Sequence, residues 1–150
     1  RIKLINLGID HQSNGRDVPA SRSWNRLFAQ IVFDIQNRVF IELRPWIRLP
    51  EKAKTSPSDP TGDDNPDITD YMGHGHVRGV ISLGKHTITF LFRDNLKADQ
   101  KAALQLDWSF PLVRKIRGYV QFFTGYGESL IDYNDNSTRI GAGVELTNWL

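Results

Sequence analysis

The sequence predicts an all-β fold, an antiparallel β-barrel with about eight strands in this chain, and three observations predict it. Apolar and polar residues alternate with period two through almost every segment, a period no helix has. Tight turns alternate with long polar loops. The apolar faces carry essentially no charge, Lys3 lying near a strand end.

Taken in order, residues 2 to 13 place Ile5, Leu7 and Ile9 on one face with His11 and Ser13, against Asn6, Gly8, Asp10 and Gln12. From Ser21 onward, Leu27, Ala29, Ile31, Phe33 and Ile35 alternate with Arg22, Trp24, Arg26, Phe28, Gln30 and Asp34. In "RVFIELRPWIRLP", Val39, Ile41, Leu43, Pro45, Ile47 and Leu49 oppose Arg38, Phe40, Glu42, Arg44, Trp46 and Arg48. Val77, Ile81 and Leu83 then oppose His74, His76 and Arg78, and Ile88, Phe90 and Phe92 oppose Thr87, Thr89 and Arg93. Ala102, Leu104, Leu106, Trp108 and Phe110 face away from Gln105 and Asp107. Val120, Phe122 and Tyr126 oppose Arg117, Tyr119 and Gln121, and Ile140, Ala142, Val144 and Leu146 oppose Arg139 and Glu145. Short turns fall at Gln36-Asn37, Gly84-Lys85 and Val113 to Lys115, and longer loops at 14 to 20, 50 to 67, 94 to 100 and 127 to 137.

The bulk numbers agree with one folded unit. The 150 residues, 39% apolar and 24% charged, are read as a single β-barrel domain over 1–150. Net charge is +2 with acids and bases interspersed and no Lys/Arg block, so no nucleic-acid partner is expected. Cysteine is absent, which removes disulfides and thiolate sites. No apolar run approaches the roughly 18 residues of a membrane-spanning helix. The chain opens at Arg1, without Met and already inside a strand-like pattern, which suggests a piece of a longer, processed protein.

Parity alone leaves the outer face open. A soluble ligand-carrying barrel would turn its apolar face inward. Three features favour a transmembrane barrel: asymmetric loops, an aromatic girdle of Tyr71, Trp108, Phe110 and Tyr126 near apolar-face strand ends, and alternation carried to Leu150.

The first strand's apolar face ends in chemistry. Side chains two apart on a strand share a face, about 6.7 Å apart along the backbone, so His11 and Ser13 are neighbours. Pairing the first two strands about position 18 sets His11 opposite Asn25 and Ser13 opposite Ser23, and directly opposed Cβ atoms lie about 4.5–5.5 Å apart. The row Asn25, His11, Ser13 has the logic of nucleophilic acyl transfer, with a hydroxyl to attack, an imidazole to take its proton and an amide to hold the ring. A neutral amide suits a lipid-facing wall, where an ionised Asp is costlier to desolvate. Polar residues at the interfacial end of a strand are also common without any catalytic duty.

The stretches "HQSNGR", "SRSWNRL", "DDNPDIT" and "GYGESLIDYN", in order along nearly the whole chain, resemble the outer membrane phospholipase A family. The resemblance implies a calcium-dependent phospholipase A1/A2 of the Gram-negative outer membrane, on a barrel of about twelve strands. This chain would be its C-terminal part, roughly two-thirds of the barrel. Such an enzyme hydrolyses acyl esters of glycerophospholipids and lysophospholipids and acts as a homodimer. By motif, Ser13 would be the nucleophile, His11 the general base and Asn25 the orienting residue. The family's active-site calcium would fall on the Arg16 carbonyl and the Ser21 hydroxyl, and Asp64 resembles an acidic position used in further calcium binding.

Other features read more plainly. His74 and His76 share a face as metal ligands can, but no third ligand is apparent. Gly125 and Gly127 in "GYGES" ease a strand bend, since no helix follows to make a phosphate cradle. The charges Arg22, Arg26, Glu42, Arg44, Arg78 and Glu145 form a hydrogen-bonded plug rather than a conduction path. The alternatives to a lipase are a non-enzymatic outer-membrane pore or structural barrel, and a soluble lipid carrier.

Overall fold

The structure is a computed structural model and describes residues 1–113 and 115–146. Among them eight strands form one antiparallel sheet in sequence order, each paired with the next. They are β1 (Ile2–Ser13), β2 (Ser23–Ile35), β3 (Val39–Leu49), β4 (Gly75–Leu83), β5 (His86–Asp94), β6 (Ala102–Val113), β7 (Ile116–Tyr126) and β8 (Asn136–Glu145). A five-residue helix, α1 (Ile68–Met72), sits in the loop between β3 and β4. Arg114 in the turn expected at Val113 to Lys115, and the alternation expected from 147 to Leu150, lie outside the described residues.

Two faces of opposite chemistry decide which side is wet. Leu7, Ile9 and Ile140 are 79%, 70% and 77% exposed on the convex face. The concave face is polar: Asp10 accepts from Arg26 Nε at 2.8 Å and Arg44 Nη2 at 2.7 Å, and His76 Nε2 meets Glu42 at 2.9 Å. Asp107 takes hydrogen bonds from Tyr119 and Gln121 at 2.8 and 2.9 Å, and Ser109 and Arg117 both bond Glu145. A soluble carrier needs the reverse arrangement. An exposed apolar band over a paired polar interior is what a lipid-facing wall requires. Asp10 pairs with Arg26 and Arg44, and Glu145 with Arg117, across strands, whereas Arg22 and Arg93 donate to backbone carbonyls. No described helix is long and apolar enough to cross a membrane.

Lys3 fits this division through a local irregularity. The β1–β2 register shifts between Ile2 and Leu4, and the Lys3 ammonium lies 3.6 Å from Asp34.

The turns follow their sequences. Gln36 and Asn37 both adopt φ 56°, and Arg38 N–H donates to the Ile35 carbonyl at 3.2 Å, a type I′ geometry that matches strand twist. Gly84 at φ 62° opens the two-residue turn between Leu83 and His86. Among the described residues the turns at 36–37 and 84–85 lie at one end of the sheet and the long loops at the other.

The long-loop end holds the compact core. Trp24, Trp46, Ile68, Met72 and Tyr133 are buried together, with Phe28, Tyr71 and Leu130 against them. Ile68 and Met72, one helical turn apart, present one face of α1 to the tryptophans. Trp46 Nε1 donates to the Gly73 carbonyl at 3.0 Å and fastens the helix end. The girdle reading needs correcting. Tyr71 lies on α1, and its ring meets Tyr126 and Tyr133 at 5.4 and 5.6 Å, so it belongs to this mouth cluster. Trp108 is exposed but lies in the middle of β6, its ring 4.6 Å from Phe110. The bend at "GYGES" has a physical cause: Gly125 adopts φ 118°, and a Cβ there would lie 2.1 Å from the Ala102 carbonyl oxygen.

Candidate active site

The β1–β2 ladder runs Ile9↔Leu27, His11↔Asn25 and Ser13↔Ser23. His11 and Ser13 are exposed on the convex face, at the end of the Ile5, Leu7, Ile9 row. His11 Nδ1 lies 2.9 Å from Asn25 Oδ1. Ser13 Oγ accepts from Gly15 N–H at 3.2 Å. The structure therefore joins His11 to Asn25 directly and sets Ser13 two residues further along the same face.

The opposite face of β1 holds this row still. Gln12 Oε1 accepts from Trp24 Nε1 at 2.9 Å and Arg26 Nη2 at 3.3 Å, next to the Asp10 ion pairs. Trp24 is 0% exposed, and the Arg26 guanidinium lies 4.1 Å from its ring centroid. A strand anchored on one side presents its other side in fixed register.

The loop joining β1 and β2 is organised by one side chain. Asn14 Oδ1 accepts from Arg16 N–H and Arg22 N–H at 3.3 and 3.0 Å, and its Nδ2 donates to the Ala20 carbonyl at 2.8 Å. The "DDNPD" stretch docks against the start of β2. Asp63 takes Arg48 Nη2 at 2.6 Å, and the fully buried Asn65 accepts Ser23 N–H at 3.0 Å. Asp64 accepts the Ser21 hydroxyl proton and takes Lys54 Nζ at 2.6 Å. Burial works against ionisation of Asp64, but the hydrogen bonds from Lys54 and Ser21, with the Lys54 and Arg22 charges, hold its carboxyl below the usual carboxylate range. Asp67 accepts from the Tyr133 hydroxyl, which ties "DDNPDIT" to "GYGESLIDYN".

Of the residues expected at a cation, Arg16 and Ser21 offer a carbonyl and a hydroxyl oxygen in one loop. Both are hard donors of the kind calcium takes. Among the described residues no hydrogen bond reaches the Arg16 carbonyl, and the Ser21 oxygen keeps its lone pairs while its O–H donates to Asp64. No group of three or more His, Cys, Asp or Glu that could hold a metal ion occurs among the described residues, and the carboxylate beside these two neutral oxygens is Asp64, behind the Ser21 hydroxyl. His76 is engaged by Glu42, and His74 precedes β4.

Glu51 is the site residue that the motifs did not point to. Asn25 Nδ2 donates to Glu51 Oε1 at 2.8 Å. The signal was present in the register: Leu49 pairs with Asn25, and Glu51 is two residues beyond it on the same parity.

Known proteins resemble this chain in sequence and in fold. The family model described as Phospholipase A1 matches residues 1–146. Phospholipase A1 of Klebsiella pneumoniae is 39% identical over 147 residues, covering 98% of this chain and 47% of that protein. The Escherichia coli K12 phospholipase A1 is 38% identical with the same coverage. The chain thus spans about half the length of the curated relatives it matches. Among solved structures, outer membrane phospholipase A from Escherichia coli aligns with a TM-score of 0.85 and 36% identity, over 98% of this chain and 52% of that one. The Salmonella typhi outer membrane phospholipase dimer with bound calcium aligns at 0.85 and 36%, over 98% and 53%. With a family model matched along 1–146 and solved relatives sharing the curved antiparallel wall, the chain belongs to the phospholipase A1 family of β-barrel proteins.

Proposed function

We propose that this chain is part of an outer-membrane phospholipase A1/A2 that hydrolyses acyl esters of glycerophospholipids and lysophospholipids. Ser13 is the nucleophile, His11 the general base and Asn25 its orienting partner. The 2.9 Å contact of His11 Nδ1 with Asn25 Oδ1, on an exposed apolar face beside Ser13, carries the reading. A water-soluble hydrolase has no use for a site on such a face, whereas acyl chains lie against it.

The chemistry follows from the row. Asn25 Oδ1 accepts a hydrogen bond from Nδ1–H and leaves the Nε2 lone pair free. Ser13 Oγ, released from Gly15 by a turn about χ1, gives its proton to Nε2 as it attacks the ester carbonyl. His11 returns that proton to the departing glycerol oxygen, leaving an acyl ester on Ser13. Water, deprotonated by the same imidazole, frees the fatty acid and restores the serine.

The Arg16 carbonyl and the Ser21 hydroxyl would hold calcium. When bound, the ion polarises the ester carbonyl and offsets charge on its oxygen. Asp64 orients the Ser21 hydroxyl, and it would take a further calcium only by exchanging Lys54 for the ion. Residues 1–150 would belong to one barrel domain, in which the outermost described strands, β1 and β8, would pair with further strands in lipid. The active form is a homodimer, as the calcium-bound relative is a dimer.

Labelling with a fluorophosphonate, followed by peptide mapping, tests the assignment on the full-length protein. The adduct is expected on Ser13, dependent on His11. A folded, lipolytic protein that carries the adduct elsewhere would overturn it.

A further inference from the structure

We propose that Glu51 is a positioning residue for the base, fixing the Asn25 amide and supplying the negative charge that an amide lacks. The inference rests on the serine hydrolase reading above and extends it by one residue. An asparagine beside a histidine is ambiguous, since its amide can turn either its oxygen or its nitrogen toward the ring. Glu51 removes the ambiguity. Its carboxylate only accepts, so Asn25 Nδ2 must face it, at 2.8 Å, and Oδ1 must face His11, at 2.9 Å. The ring then donates from Nδ1, and the basic lone pair sits on Nε2, on the side away from Asn25.

The charge matters as much as the geometry. When His11 takes the serine proton, an imidazolium forms on a face exposed to lipid, where an uncompensated cation is costly. Asn25 alone offers a dipole. With Glu51 behind it, the amide is polarised and a carboxylate lies one residue removed from the cation. Glu51 is free for this duty: among the described residues it makes no ion pair, whereas Asp10, Asp63 and Asp64 are each held by Arg or Lys. It is half-buried and follows Leu49, the partner of Asn25, by two residues.

The test uses the full-length protein in detergent micelles, with kcat normalised to fluorophosphonate-titrated sites so that misfolded material does not count. Glu51→Ala is expected to lower kcat by about 10- to 100-fold, the worth of a hydrogen bond to a charged group, with KM within about twofold. Glu51→Gln, which can still accept from Asn25 without the charge, is expected to lose less. The decisive arm reverses a sign. In an Asn25→Asp background two carboxylates face each other, and Glu51→Gln should then raise activity instead of lowering it. Wild-type kcat in Glu51→Ala, or the same sign of effect in both backgrounds, would overturn the proposal. Absence of labelling at Ser13 in the folded wild type would instead overturn the triad reading and this proposal with it. Labelling at Ser13 with indifferent Glu51 variants removes the Glu51 role alone.

Discussion

His11 Nδ1 and Asn25 Oδ1 lie 2.9 Å apart across a strand pair whose register sets the two residues directly opposite. The contact depends on the ladder and not on a loop, so it is as rigid as the sheet. Asn25→Ala removes the acceptor and lets the ring turn. Fatty-acid release should fall by about 10-fold or more, with the barrel still folded and KM little changed. Steady-state kinetics on micellar phospholipid check it.

Asp10 stands behind the same strand and binds both Arg26 and Arg44. Asp10→Ala leaves two guanidinium groups facing each other without an anion. The variant should unfold at lower denaturant, with a loss of about 2–3 kcal/mol, reduced where water reaches the partly exposed pair. Urea titration followed by tryptophan fluorescence measures it.

At Gly125 the backbone has φ 118°, and a Cβ would meet the Ala102 carbonyl oxygen at 2.1 Å. Gly125→Ala must therefore shift β7 against β6. Strain at such a position costs about 1–3 kcal/mol, and the β7 end that bears on α1 should open to protease before the rest of the wall. Limited proteolysis with mapped cleavage sites reads this out.

Calcium dependence should pass through Ser21. Chelation is expected to abolish lipolysis, and Ser21→Ala should raise the calcium needed for half-maximal activity by roughly 10- to 100-fold. Asp64→Asn should act in the same direction and less strongly, because Asp64 bonds the Ser21 hydroxyl and would reach an ion only through it. A calcium titration of activity separates the three.

How far the sequence reached can be judged from these residues. The opposition of His11 to Asn25 and of Ser13 to Ser23 follows from strand parity and a loop centred near position 18, so it was legible before any coordinates. So were the apolar wall and the polar lumen face, since period two leaves little freedom. Helix α1 was not, because five residues in an Asp- and Pro-rich loop give no helical period, and Tyr71 was misplaced with it. Glu51 escaped because its contact with Asn25 needs the β2–β3 register and the path of the chain after Pro50. Strand periodicity fixes faces, while loop docking depends on long-range contacts such as Asn65 to Ser23.

The central claim is that Ser13, on the lipid-facing wall, performs ester hydrolysis. Fatty-acid release from phospholipid micelles by the full-length protein, with calcium and with chelator, beside a Ser13→Ala variant shown to be folded, tests it most directly. The account predicts release only from the wild type with calcium. Release that survives Ser13→Ala would place the nucleophile elsewhere and contradict the account.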